Sequence, residues 1–355
     1  MTRLRADLHP FRLALRAPLA TSGVSIRFRA GLLVSLSADG VTGWGEASPL
    51  PGWSRNSLLE TETALRDALD RIGACGESAL DTVVGDLQDA PHARAGVTGA
   101  WADLQARRAG RRLAEYLAAE ETAAPRSEVA VNALVAAPEP SEVEQAASGA
   151  VDAGFTTVKL KVGAADPAVD ADRVQAARAG LGPGIELRLD ANGAWDHATA
   201  LEMLDRVQGC NIDYCEEPVA GIEAIADVGR LSPIPVAADE SIRSEVDAVR
   251  ALDLGVSTLI VKPQALGGPD VAQAIAARAY EAGARVTVTS FLDSAVGLAH
   301  ALHVAAAVDT SVPHPRAHGL ATGELLAADV ADLPPVTAGV MSLPPGYGIG
   351  VMPAP

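Results

Sequence analysis

The stretch Thr156-Thr157-Val158-Lys159-Leu160-Lys161-Val162 decides how the rest of the chain is read. It reads as a short buried strand. Successive strand side chains point to opposite sides, so Val158, Leu160 and Val162 share one face and Lys159 and Lys161 share the other. Burying an ammonium group without a partner is costly. The lysine face is therefore expected to meet anions, a metal cluster or substrate. The plainer reading is a strand end whose lysines reach solvent, and the residues downstream weigh against it.

From about Glu128 apolar strands alternate with Ala-rich helices, the pattern of parallel βα units. The expected strands are Val129 to Val135, Thr157 to Val162, Ile185 to Asp190, Ile212 to Glu216, Pro235 to Asp239, Thr258 to Lys262 and Val286 to Ser290. Helices such as Ser141 to Ala153 and Pro269 to Ala282 fill the gaps. A repeat of roughly 25 residues suits a strand, a helix and two short loops. Seven or eight such units close into a barrel. The competitor is an open doubly wound sheet, which usually carries a Gly-rich phosphate loop after its first strand. Val135-Ala136-Ala137-Pro138 offers none, which favours the barrel.

Polar residues then fall at one kind of position. Asp190, Glu216 (followed by Glu217-Pro218), Asp239 and Lys262 each end a predicted strand. In a barrel those ends converge on one mouth, where active sites are built. A single acid at a strand end is commonly a helix cap. Three acids on three successive strands, flanked by lysines on the strands to either side, point instead to a metal site. Carboxylates without His or Cys make a hard oxygen site, suited to Mg²⁺ first and Mn²⁺ second. Zinc would recruit His or Cys. The histidines (His9, His92, His197, His300, His303, His314 and His318) are dispersed, and His300 and His303 read as structural.

The first 120 residues or so read as α+β. Strands are expected at Asp7 to Arg16 and Gly31 to Ser37, with a loop at Ala17 to Gly23. Gly43 to Trp53 begins as a strand and ends as a Pro/Gly loop. Helices follow near Ser57 to Ile72 and Gly96 to Ala119, the second interrupted at Gly110. Trp44 and Trp53 read first as packing residues, with Trp53 the one placed for a ligand contact. Arg16, Arg27 and Arg29 could neutralise a second substrate carboxylate, though each singly reads first as solvent-facing. The 45 acidic and 28 basic side chains give a net charge of -17, which disfavours nucleic acid and anionic membrane as partners. Cys75, Cys210 and Cys215 form no CxxC pattern, consistent with a reducing, cytoplasmic setting. No signal-peptide core or membrane-spanning run is evident.

Five motifs now align in order: Lys159-Leu160-Lys161, Asp190-Ala191-Asn192, Glu216-Glu217-Pro218, Asp239-Glu240-Ser241 and Val261-Lys262-Pro263. With them the chain resembles the enolase superfamily, in the muconate-lactonizing-enzyme-like subgroup with lysines on both sides of the site. The resemblance implies a (β/α)7β modified TIM barrel at residues 123–325 under an N-terminal α+β capping domain at 1–122. The tail, 326–355, would return to the cap. It also implies Mg²⁺ held by Asp190, Glu216 and Asp239, Glu216 being preferred because relatives with Glu-Gln-Pro keep the first acid. Lys161 would be the base, Lys262 the group on the opposite face, and Lys159 a partner of the substrate carboxylate. Asn192, Ser290 and Asp293 are candidate substrate contacts. Within the subgroup the chain most resembles the o-succinylbenzoate synthase family, through Gly43 to Gly52, Thr157 to Gly163, Arg188 to Asn192, Ser294 to Leu298 and His318 to Gly323. Thr289 to Ser294 departs from the Ser-Ser-Ser-Ile-Glu-Ser of some relatives, with fewer hydroxyls at Phe291 and Ala295.

The expected reaction dehydrates 2-succinyl-6-hydroxy-2,4-cyclohexadiene-1-carboxylate to an aromatic acid. A free lysine has a pKa of about 10.4, so a lysine base working near neutrality needs it lowered by roughly two to three units. Lys159 and the cation are expected to lower it, against the three carboxylates. The alternatives are an N-acylamino acid racemase or dipeptide epimerase, which two opposed lysines suit equally well, then muconate cycloisomerisation, and remotely a silent metal-binding scaffold. Dipeptide epimerases tend to carry a late Asp-x-Asp pair; here Ala295 stands two residues after Asp293.

Overall fold

The structure is a computed structural model that describes residues 4–21, 24–118, 124–311 and 316–354. Met1 to Arg3, Ser22 and Gly23 of the expected loop, the expected helix end at Ala119, the expected boundary between 122 and 123, and His314 lie outside them.

The chain begins as a three-stranded antiparallel sheet, β1 (Arg5–Thr21), β2 (Val24–Ala38) and β3 (Val41–Ala47). Asp39 (φ 55°) and Gly40 (φ 77°) turn β2 into β3, the Asp-Gly pair that a two-residue hairpin favours. The expected loop from Ala17 is largely strand: Leu19 to Thr21 pair with Ile26 to Val24. Pro18, which has no N–H to give a ladder, falls where the register shifts between Ala14 and Leu19, on an edge strand. One face of β2, Leu32, Val34 and Leu36, packs on Leu65, Leu69 and Ile72 of the helix Leu58–Cys75 and Val97 and Leu104 of the helix Pro91–Arg108. Ser57 and Glu60 form the capping box that starts the first helix. β3 lies so close to the second that a Cβ on Gly45 would strike the Gly96 carbonyl.

The remaining chain forms a curled, seven-stranded, wholly parallel sheet: β5 (Ala133–Val135), β6 (Thr157–Lys161), β7 (Glu186–Asp190), β8 (Ile212–Glu216), β9 (Val236–Ala238), β10 (Thr258–Val261) and β11 (Arg285–Val288). Helices follow each strand, from Pro140–Asp152 to Ala295–Val308. Strands covered on both faces read as unbroken apolar runs, and all of Thr258–Val261 is buried. The expected single strand Val129 to Val135 is two. β4 (Glu128–Ala130) turns away to pair antiparallel with β12 (Val340–Ser342), and only Ala133–Val135 enters the barrel. Between β11 and β5 the two residues His318 and Gly319 close the ring. Asn132 N donates to the His318 carbonyl (2.9 Å), and Gly319 N donates to the Val288 carbonyl (2.9 Å). Ile349 and Val351 of the tail pack with Leu33 and Trp44 of the cap sheet, Ala106 of the cap helix and Val296 of the last barrel helix. The result is a (β/α)7β barrel under an α+β cap.

Candidate active site

The strand register sets the site. Lys161 on β6, Asp190 on β7 and Glu216 on β8 are successive partners at the C-terminal rim. Asp239 and Lys262 lie one residue past β9 and β10. Val158, Leu160 and Val162 are buried among the outer helices, so alternation turns Lys159 and Lys161 into the barrel mouth. The solvent reading fails for Lys159, whose Nζ lies 2.8 Å from Asp190 Oδ2 and donates to Glu216 Oε1 (3.0 Å) and Oε2 (3.2 Å). Lys161 Nζ donates to Asp190 Oδ2 (2.6 Å) and Asn192 Oδ1 (2.8 Å). Lys262 Nζ donates to Asp239 Oδ2 (2.6 Å).

Three carboxylates at most 5% exposed thus meet three ammonium groups. Burial works to lower Lys159 and Lys262, yet the carboxylates around them (Asp190, Glu216 and Asp239 about Lys159; Asp239, Glu240 and Glu216 about Lys262) outweigh it and hold both above the ordinary lysine range. Burial works to raise Asp190, and Lys159 and Lys161 overcome it to hold it low. Glu216 is pushed up by burial first and by Asp190 second. As placed, no group of three or more His, Cys, Asp or Glu side chains among the described residues has the geometry to hold an ion, because each acid is turned onto an ammonium group. The donor set nevertheless suits a hard cation: three carboxylates on adjacent strand tips, with no His or Cys among them. Asp239 Oδ1 is buried, 2.5 Å from Lys262 Nζ but outside hydrogen-bonding geometry, so that oxygen has a lone pair to give.

Neighbouring residues brace this group. Glu217 (φ 41°) is buried and accepts from Asp239 N (2.8 Å) and from the Ser241 hydroxyl; burial pushes it up to about 8. Asn192 (φ 47°) accepts from Lys161 and donates to Glu240 Oε1 (2.8 Å), standing between the two. A cleft of about 370 Å³ lined by Asn192, Glu217, Glu240 and Arg55 opens beside them. Ser290 pairs with Thr322 (Oγ to Oγ1, 2.5 Å). Asp293 is buried beside the cup, accepting from Phe291 N (2.9 Å), and burial and then Glu46 push it up to about 7. Lys159, Lys161, Lys262, Asp190, Glu216, Asp239 and Asn192 come together; Ser290 and Asp293 stand at the margin.

Sequence reading missed Glu46 and misjudged Arg29. Glu46 accepts from Ser48 Oγ (2.5 Å), Ser294 Oγ (2.5 Å) and Gly297 N (2.9 Å), tying cap to barrel. Arg29 is buried rather than solvent-facing, donating to the carbonyls of Leu292 (2.9 Å) and Pro49 (2.7 Å). Backbone carbonyls, backbone N–H groups and hydroxyls leave no charge signature in sequence, so neither role had a legible signal. Arg16 and Arg27 are exposed.

Comparison with known proteins bears on this geometry. Residues 142–355 match the family described as enolase C-terminal domain-like, and residues 3–97 match the MenC N-terminal domain. An o-succinylbenzoate synthase of Thermobifida fusca is 41% identical over 59% of this chain, a match spanning 64% of that protein's length. Muconate cycloisomerase 1 of Rhodococcus opacus is 32% identical over 78% of this chain and 76% of its own. The substrate-liganded L-Ala-D/L-Glu epimerase of Bacillus subtilis superposes with a TM-score of 0.88 at 26% identity, covering 100% of both chains. With the family match spanning more than half of its residues, and the fold and the five motifs in place, the chain belongs to the enolase superfamily.

Proposed function

We propose that the chain is an o-succinylbenzoate synthase, dehydrating 2-succinyl-6-hydroxy-2,4-cyclohexadiene-1-carboxylate to 2-succinylbenzoate in menaquinone biosynthesis. The observation that carries the choice is the cap: residues 3–97 match the MenC N-terminal domain, over a barrel whose two lysines face one acid cluster from opposite strands. Asp190, Glu216 and Asp239 would hold Mg²⁺, with Mn²⁺ as a substitute. A cation held there would supply positive charge beside the substrate carboxylate.

In this reading Lys161 Nζ takes the proton beside the carboxylate, then returns it to the departing hydroxyl, which leaves as water. One group serving both steps makes the elimination syn. Lys262 stabilises the charge from the other face. Lys159, against Glu216 and Asp190, keeps the buried acids partly neutralised and adds positive charge beside Lys161. Lysine is an established base in this superfamily. The carboxylates hold Lys159 and Lys262 above the ordinary lysine range, so both stand as fixed positive charges around the acid cluster.

The test is incubation with the dihydro-aromatic acid and Mg²⁺, followed spectroscopically. Aromatisation with loss of one water is expected; its absence at millimolar enzyme-saturating substrate would end the proposal. The second reading, racemisation or epimerisation of an N-acylamino acid or dipeptide, is supported by the full-length likeness to the Bacillus subtilis epimerase. It would show as exchange of the α-hydrogen with deuterated solvent without loss of water.

A further inference from the structure

Lys262 is held from the cap as well as from the barrel. Its Nζ stands 5.2 Å from the centre of the Trp53 ring and 5.9 Å from that of Phe291. The two rings meet edge to face, 6.4 Å apart at 78°, and His92 stacks on Phe291 at 5.5 Å. Trp53 belongs to the cap loop after β3, Phe291 to the loop after β11. A lysine on its flexible four-carbon stem needs several contacts to hold one position, and an ammonium is attracted to ring faces. The same cap loop reaches the turn that follows Lys262 by a polar route. Ser54 Oγ accepts from Leu50 N and meets His92 Nε2 (2.8 Å); His92 Nδ1 lies 3.4 Å from Gln264 Oε1; Gln264 Nε2 donates to the Glu46 carbonyl (2.7 Å). Gln264 is two residues past Lys262. Among the described residues Lys161 has no such link: its ammonium is held by Asp190 and Asn192, both of the barrel.

We infer that Trp53 is a positioning residue that seats the Lys262 ammonium over the reacting face, so that the cap loop sets one of the two lysines and not the other. This rests on reading Lys262 as the group on the second face of the substrate. If Trp53 were packing alone, within its apolar cluster of Ile26, Leu50, Phe291 and Leu292, its loss would lower stability and leave both lysines alike.

The test compares wild type with Trp53→Leu, Trp53→Phe and Phe291→Leu in two measurements. The first is the rate of amine acylation at Lys262, read by peptide mass spectrometry against Lys161 as internal reference. The second is steady-state turnover of the dihydro-aromatic acid with Mg²⁺. Losing one desolvated cation–π contact is expected to raise the Lys262-to-Lys161 labelling ratio about fivefold and to lower kcat about tenfold in Trp53→Leu, with KM within about twofold. Trp53→Phe, which keeps a ring, should stay within about twofold of wild type in both. Phe291→Leu should shift the ratio in the same direction, which covers the case of a poorly folded Trp53 variant. An unchanged ratio in both leucine variants overturns the inference, and so does a raised ratio with unchanged kcat. Should wild type fail to aromatise the acid, the proposed reaction falls and the labelling ratio alone decides the role of Trp53.

Discussion

Lys161 and Lys262 differ in what surrounds them, and that difference assigns their work. Lys161 is about one-third exposed and touches one ligand-type acid and one amide. Lys262 is 15% exposed and bound to Asp239 under two rings. The more accessible amine is the better placed to exchange a proton, the enclosed one to stay a fixed charge. General acid–base catalysis by one side chain contributes about 10²- to 10⁴-fold and one electrostatic donor about 10²- to 10³-fold, so Lys161→Ala and Lys262→Ala should each bring turnover near background. Both should still bind Mg²⁺ in a calorimetric titration, because neither supplies an oxygen. Wild-type-like turnover by either variant would refute its assigned role. Asp190→Asn keeps the size but removes one of three negative charges and turns one acceptor oxygen into a donor. Mg²⁺ affinity should fall by an order of magnitude or more, and an unchanged titration would remove Asp190 from the ligand set.

At the scale of elements, what the sequence disclosed and what it hid have physical reasons. The alternation of Val158 to Val162 and the acids at successive strand tips were legible, because burial on one face and chemistry on the other leave a period-two record. The closure at His318-Gly319 was not, since two residues carry no periodicity and their partners, Val131 and Thr289, are far away in sequence. The β1–β2 hairpin extension was hidden by Pro18, which reads as a break but falls where the ladder shifts. Also hidden was the clamp that holds the tip of β6. Arg173 donates to the carbonyls of Lys161 (2.9 Å) and Ala137 (2.8 Å), Asp170 accepts from Gly163 N (2.6 Å), and the two pair at 2.5 Å while almost fully buried. Removing one partner of a buried pair costs about 3–5 kcal/mol, whereas removing both costs less. Arg173→Met should therefore lower the urea-unfolding free energy by roughly 3 kcal/mol, and Asp170→Asn/Arg173→Met should recover part of that loss. Simple additivity of the two single variants would mean the pair does not act as a clamp.

The whole molecule is joined where cap, last barrel helix and tail meet, and there its stability takes on a pH dependence. Asp103 on the cap helix accepts from Trp44 N (2.8 Å) and Ile349 N (2.7 Å) and pairs with Arg107 (2.9 Å). On the barrel helix, His300 Nε2 meets the Trp44 carbonyl (2.7 Å), and His303 Nδ1 accepts from Ala114 N (3.1 Å). Burial pushes His300 down to about 4 and His303 down to about 3. Burial pushes Asp103 up to about 6, against Arg107. The signs oppose one another. An unfolded histidine takes a proton near pH 6.5 that native His303 refuses until about pH 3, so its contribution is present above 6.5 and is lost on acidification. Native Asp103 takes a proton near pH 6 that the unfolded chain takes only near 3.8, so stability from this group grows as pH falls through that window. The wild-type curve is a sum of both, and a variant isolates one of them. His303→Gln keeps an acceptor for Ala114 N and removes the titration, at about 1.36 kcal/mol per pH unit. Between pH 6.5 and 4.5 the variant should lose roughly 2 kcal/mol less unfolding free energy than wild type in denaturant titrations. Parallel curves for the two proteins would show that His303 is already able to charge in the native junction, and that this seam opens to water.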